Sequence, residues 1–360
     1  MKVYFDIASP YYWPQYQPVF ELLRVRGHQC HAVLHDTPQN SALASQLEAD
    51  DFPEFQPCPQ AQLAEFYRSA SPDWIIFGNS SVIDLKTLPA STSTALLYHG
   101  IGIKSCYYDK ELAEFDVRFT EGGHRQAQLV ESAPDSCFEE VGFAKLDPIF
   151  NGELTTSKSP LTQAGLSEDR PTLLYAPTFY PSSIERMPWN WPEKFRDCNI
   201  IIKPHFFTWS HEKYKRQRRF LDHWATFDNV YLVPANKLSL VPYMAVADVL
   251  LSEASSALFE FAALDRPVLW LDFLQLRWSY RGPLRFRFDR RMDQTIKPYW
   301  DVARHVQHPW QLERAVREEL ASPEEFQSAR QRTTTELIGQ TDGRVSERIC
   351  DYLEANSRGA

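Results

Sequence analysis

The sequence predicts an α/β protein of two Rossmann-like domains facing across a cleft, followed by C-terminal helices. Three observations carry that prediction. The length of 360 residues exceeds what one hydrophobic core usually serves. Two successive series of short β-rich runs alternate with helical patterns, the signature of parallel sheets covered on both faces. Between the series lies a polar stretch, Leu154 to Arg170, rich in Ser and Thr with Pro160 and Pro171 near its ends, which reads as a linker.

The first series runs "KVYFDI", "QPVFELLRVRG", "CHAVLH", "DWIIFG", "TALLYHG" and "DVRFTEGG". The second runs "PTLLYAPTF", "NIIIKPHFF", a charged helix from about Ser210, "NVYLVPA", "VADVLLSEASS", an apolar helix and "RPVLWLD". From about Pro309 the chain has apolar residues at helical spacing among charged ones. The expected division is an N-terminal domain over 1–155, a C-terminal domain over 171–335, and a helix over 336–360 placed to pack back on the first domain.

Composition narrows the function classes. The formal charge of -9 argues against broad duplex nucleic-acid binding, which needs a basic face. Two basic islands stand out, Lys213 to Arg219 and Arg281 to Arg291, and the first is expected to be a solvated helix face. No apolar run approaches the roughly 20 residues that span a bilayer, and the N-terminal stretch lacks signal-peptide features, so a cytoplasmic location is expected. The six cysteines are scattered without a CxxC pair, which points to reduced, packed thiols.

In open α/β sheets ligands bind beyond the carboxyl ends of the strands, so residues just after each strand are the candidates. "ADVLL" is a buried strand, "SEASS" the turn at its end and "ALFEFAAL" the next helix. Ser255 and Ser256 therefore stand at a helix N-terminus, where unpaired N–H groups favour a phosphate; simple N-capping by serine is the competing reading. Glu260, one turn into that helix, is placed to reach a ribose hydroxyl; otherwise it is a solvated carboxylate. His99 ends "TALLYHG", and an imidazole is suited to take a proton from a hydroxyl, although a histidine at a strand end is more often structural. His205, with Lys203 two residues before it, ends "NIIIKPH"; Thr178 follows "YAP". His305 and His308 have no third ligand nearby and read as a solvent-facing pair.

"LLSEASSALFEFAALDRPVLWLD" resembles the D-Y-S-S-x-x-F-D-[YF]-A…L-x-[KR]-P signature of the CDP-glycerol glycerophosphotransferase family, whose members build teichoic acids and related cell-surface polymers. In the same order, "LLYHGIGIKS" resembles the family's W-H-G-x-x-x-K segment, "VGFAKLDPIF" its G-[YF]-x-[KR]-x-D-x-[IL] segment, "TLLYAPTF" its [IL]-L-Y-A-P-T-[WF] strand and "TDGRVSERI" its D-G-[KR]-[AS]-x-[EQ]-R-[IV] tail. The resemblance covers about Leu96 to Ile349. Glu253 and Ala254 stand in place of Asp-Tyr, Tyr98 in place of tryptophan and Glu260 in place of aspartate.

The resemblance implies a GT-B-type fold and transfer of glycerol phosphate, or a related polyol phosphate, from a CDP-linked donor to a hydroxyl of a cell-surface glycan or glycolipid, with release of CMP. The first domain would then serve the acceptor and the second the nucleotide. It implies His99 as general base and His205 as the second catalytic histidine, neutralising phosphate charge. Ser255, Ser256, Glu260, Thr178, Lys203 and Glu253 would hold the donor's nucleotide and phosphates. No prosthetic group or metal ligand set is implied, with divalent-metal dependence open. Expected partners are CDP-glycerol or a similar CDP-polyol, a glycan or lipid-linked saccharide acceptor and, peripherally, the inner membrane surface; nucleic acid is not among them. The competing functions are a glycosyltransferase using a nucleotide sugar, a nucleotide-sugar 2-epimerase and a non-catalytic nucleotide-binding subunit.

Overall fold

The computed structural model describes residues 1–44, 54–101, 112, 114–155, 160–277, 280, 282–284, 286 and 294–358. Residues 102–106, the part of the expected linker at 156–159 and most of the basic island at 281–291, Arg285 included, lie outside the described residues.

Two all-parallel sheets form, as the alternating series predict. The first has seven strands in the order β3-β2-β1-β4-β5-β6-β7, built from β1 (Lys2–Ile7), β2 (Gln29–Asp36), β3 (Phe55–Pro59), β4 (Trp74–Phe77), β5 (Ser93–Leu97), β6 (Val117–Thr120) and β7 (Phe138–Glu140). The second has six in the order β10-β9-β8-β11-β12-β13. Its strands are β8 (Thr172–Tyr175), β9 (Asn199–Ile202), β10 (Val230–Leu232), β11 (Val249–Ser252), β12 (Val268–Leu271) and β13 (Arg304–Val306).

The apolar runs are continuous because each central strand is covered on both faces. Along β4, Ile76 faces the helix Trp13–Val25 with Val19, Phe20 and Leu23, while Ile75 and Phe77 face Leu63 and Tyr67 on the other side. In the second sheet Leu174, Ile201 and Leu250 face one core, and Leu173, Tyr175, Ile200 and Leu251 the other. Strand order reverses once in each sheet, between β1 and β4 and between β8 and β11. Crevices at the carboxyl ends of such pairs are where open α/β sheets take ligands.

The last helix, Val345–Ala355, packs on the first sheet although it follows the second in sequence. Val345, Ile349, Cys350 and Leu353 join the core of Val3, Phe5 and Trp74, and the Trp74 indole N–H donates to the Leu353 carbonyl at 3.0 Å. Its start is held by Asp147. The buried carboxylate accepts from the Val345 N–H (3.1 Å), the Ser346 N–H (2.6 Å) and the Ser346 hydroxyl (2.7 Å). Two distant motifs, "KLD" and "DGRVS", therefore meet in one cap. Gly343, at φ 70°, permits the tight approach before it: a Cβ there would sit 2.6 Å from the Asn151 nitrogen.

Replacing Asp147 with Ala leaves two buried N–H groups without an acceptor. A loss of about 1–3 kcal/mol is expected. Urea unfolding followed by tryptophan fluorescence checks it, with Asp147→Asn, which keeps one acceptor oxygen, falling between wild type and Asp147→Ala.

Candidate active site

The reversal point of the first sheet gathers three segments. β1 ends in the turn Pro10–Tyr12, β4 in Gly78 and β5 in His99. Gly78 has tyrosines on top of it: a Cβ would lie 2.6 Å from the Tyr16 hydroxyl and 2.8 Å from the Tyr12 ring. Only glycine lets the strand end come this close. Its carbonyl then meets the His99 Nδ1 at 2.7 Å, and the buried Tyr12 ring stacks on the imidazole at 4.1 Å with 15° between planes. A carbonyl only accepts, so Nδ1 carries a proton, and in the neutral ring the Nε2 lone pair is the basic position.

In the second sheet the ends of three neighbouring strands, spaced roughly 4.8 Å apart, line one edge. β9 ends in Lys203-Pro204-His205, β8 in Ala176-Pro177-Thr178, and β11 in Ser252 followed by Glu253 to Ser256. His205 caps the helix Phe206–Ser210: its Nδ1 accepts the Phe207 N–H at 3.1 Å. The neutral ring must then carry its proton on Nε2. The two histidines are thus held by backbone in opposite tautomers, one offering a lone pair and the other an N–H. Tyr11 contacts both, its ring centroid 5.3 Å from His99 and 6.0 Å from His205.

Ser255 precedes the helix Ser256–Ala262 with extended φ and ψ, and its hydroxyl does not cap that helix. It lies 3.2 Å from the Ser252 hydroxyl, which gives its own proton to the Ala176 carbonyl at 2.6 Å and so accepts from Ser255. The N-capping reading of Ser255 therefore does not hold. Lys203 is partly buried, and burial, with repulsion from Lys145, pulls its pKa down to about 7. Among the described residues no carboxylate contributes to that shift.

Glu253 and Glu260 are both inaccessible to solvent, at 1 % and 0 % exposure. The Glu253 carboxylate accepts the Thr178 and Ser183 N–H groups at 2.6 Å each, together with the Ser183 hydroxyl, so it holds the loop after β8 from beneath. Thr178 turns its own hydroxyl to the Pro181 carbonyl at 2.6 Å. Burial pushes the Glu253 pKa up to about 7 against its hydrogen bonds. Glu260 is not a solvated carboxylate: one oxygen pairs with Lys145 Nζ of the first domain at 2.7 Å, and the other, Oε1, is buried without a partner among the described residues. Beside this pair an interdomain cavity opens, lined in part by Trp13, Gln17, Lys145, Lys237, Ser239 and Tyr243.

Sequence reasoning places His99, His205, Thr178, Lys203, Ser255 and Ser256 at strand ends, where the structure has them. It does not assign Tyr11, Tyr12, Gly78 or Lys145. Lys145 stands in the "GFAKLD" motif, which is the one signal that pointed to it. The charged run Lys213 to Arg219 leads into the helix Lys215–Trp224 and makes up its first half, with Lys213, Lys215, Arg216 and Arg219 exposed and Arg218 turned to the carbonyls of Thr208, Trp209 and His211. His305 bonds Asp272 and the Trp300 carbonyl, and His308 caps a short turn. Among the described residues no group of three or more His, Cys, Asp or Glu side chains is placed to hold a metal ion, and no helix is long and apolar enough to cross a membrane.

A family model described as CDP-Glycerol:Poly(glycerophosphate) glycerophosphotransferase matches residues 136–355. Among solved structures, the wall teichoic acid polymerase TagF superposes with a TM-score of 0.70 at 13% identity, over 99% of this chain and 89% of that one. A TagF variant soaked with CDPG gives 0.67 at 12% identity, with coverage of 99% and 89%. A UDP-N-acetylglucosamine 2-epimerase described as putative, from Listeria monocytogenes, gives 0.63 at 11% identity, with coverage of 99% and 98%. These structural likenesses show the fold, two Rossmann-like domains of GT-B type. No curated protein matches the chain.

The Glu253 carboxyl supplies a pH test. Its folded-state pKa is raised above the ordinary 4.5, so its contribution to stability is full below about 4.5 and is lost as pH rises through about 7. Glu253→Gln cannot titrate. Urea unfolding at half-unit steps from pH 4.5 to 8 is expected to show a wild-type stability that falls more steeply with pH than the variant's.

Proposed function

We propose the following reaction for this chain, which belongs to the CDP-glycerol:poly(glycerophosphate) glycerophosphotransferase family: a hydroxyl of the acceptor attacks the distal phosphorus of CDP-glycerol, and CMP leaves. An oxygen–phosphorus bond forms to the acceptor, and the bond from that phosphorus to the bridging oxygen breaks with its electron pair going to CMP. The acceptor proton goes to His99 Nε2. The observation that carries this reading is the opposite tautomers of the two histidines across the cleft, each held by a backbone group.

Such a transfer depends on positioning and on charge stabilisation. His99 serves as general base because its Nδ1 proton is committed to the Gly78 carbonyl. His205 donates its Nε2 proton to a phosphate oxygen. Ser255, Ser256 and the first N–H groups of the following helix take the diphosphate, with the ammonium of Lys203 close by on the next strands. Glu260, neutralised by Lys145, receives a ribose hydroxyl on Oε1, and the cavity beside it takes the nucleoside. Thr178 and Glu253 shape the wall of the phosphate pocket. The protein groups supply the positive charge in this scheme, and it requires no prosthetic group.

We place the reaction at the cytoplasmic face of the membrane, with a glycan or lipid-linked saccharide as acceptor. The exposed Lys213, Lys215, Arg216 and Arg219 form the surface that would meet anionic headgroups.

The test is CMP release from CDP-glycerol and CDP-ribitol, with UDP-sugars as controls, by wild type and His99→Ala, with and without acceptor in anionic vesicles and after chelator treatment. Expected is acceptor-dependent CMP release that falls by about 10²–10⁴-fold in His99→Ala, while the chelator arm reads whether a divalent metal takes part. Turnover of a UDP-sugar but of no CDP-polyol would overturn the reading.

A further inference from the structure

Tyr11 has no role in the reaction proposed above, yet its ring touches the imidazole that each domain brings to the cleft. It belongs to the "SPYYW" segment that follows β1. The Tyr12 N–H donates to the Ser9 carbonyl at 3.0 Å, which closes the turn and points its two tyrosines differently. Tyr12 is buried against His99, whereas Tyr11 is only partly buried. The Tyr11 ring stands edge-on to His99 at 76° and meets His205 at 57°, and it touches Phe207 at 5.9 Å. One phenol from the first domain therefore contacts the imidazole of each domain.

The ring is also braced. Tyr12 lies 4.7 Å from it at 89°, and Phe207 packs edge-on at 80° from the opposite domain. Turning it aside would forfeit aromatic contacts on both sides of the cleft. A braced ring is a wall rather than a flexible flap.

We propose that Tyr11 is a specificity-determining residue that limits the length of the polyol carried by the donor. This rests on the reaction proposed above, in which the distal phosphorus sits between His99 and His205. The polyol is bonded to that phosphorus, so its carbons fall in the same gap and run against Tyr11. A three-carbon glycerol ends at the ring. A five-carbon ribitol must continue into space the ring fills. Steric closure of this kind rejects larger substrates more strongly than a hydrophobic pocket rejects a missing methylene, an effect worth about 10–200-fold.

The experiment measures kcat and KM for CDP-glycerol and CDP-ribitol with wild type, Tyr11→Phe, Tyr11→Leu and Tyr11→Ala, alongside CDP binding by calorimetry and the thermal midpoint of each variant. CDP lacks the polyol, so its affinity is expected to change less than threefold. Wild type and Tyr11→Phe should prefer CDP-glycerol. Tyr11→Ala should cut that preference at least tenfold, through a gain with CDP-ribitol, and Tyr11→Leu should lie between. A preference unchanged in both Tyr11→Ala and Tyr11→Leu, or a wild type that takes both donors equally, overturns the proposal while leaving the reaction intact. A folded wild type that binds CDP but turns over neither donor overturns the reaction, and this inference with it.

Discussion

Everything at the site depends on one constraint: all strands of each sheet run the same way, so every strand delivers its last residue to the same edge. Parallel strands cannot be joined by tight turns, and the crossover helices that join them cover both faces. Each sheet reverses its order once, which leaves a gap between the connections that depart from β1 and β4 and between those that depart from β8 and β11. The candidate groups stand at these gaps. The tyrosines, Gly78 and His99 come from one edge, and Thr178, Lys203, His205 and the serines from the other.

What turns strand ends into a site is backbone hydrogen bonding to imidazole. His99 gives its Nδ1 proton to a carbonyl, and His205 receives an N–H on the same ring atom. The difference follows from what each strand end offers: β4 presents a carbonyl from beside β5, and β9 runs straight into a helix whose first N–H groups need acceptors. Two residues of one type thereby acquire different chemistry without any charged neighbour being required. The buried acids also hold the frame together. Glu253 ties down the loop after β8, Asp147 starts the last helix, and Glu260 joins the two domains through Lys145.

The strands were legible because a strand covered on both faces must be apolar along its length, as "WIIF", "TLLY" and "NIII" are. The strand-end rule then reaches Ser255, Thr178, His99 and His205 without knowledge of any contact. What it cannot reach is pairing across long separations. Tyr12 and His99 are far apart in the chain, and nothing in "SPYYW" distinguishes a ring that stacks on a histidine from one that packs a loop. The Lys145–Glu260 pair is equally silent: each residue stands in its own motif, "GFAKLD" or "FEFA", and nothing in either says that the two meet. Glu253 shows the same limit: a carboxylate beside two serines suggests a ligand, and only the fold shows two backbone N–H groups already bound to it.

Whether the distal phosphorus of the donor lies between His99 and His205 is decided by a crystal structure of the wild type with a non-hydrolysable methylene analogue of CDP-glycerol. The diphosphate is expected at Ser255 and Ser256, with a non-bridging oxygen within hydrogen-bond distance of His205 Nε2 and His99 Nε2 facing the distal phosphorus across the room an acceptor hydroxyl needs. A distal phosphorus bound away from both imidazoles would overturn that placement.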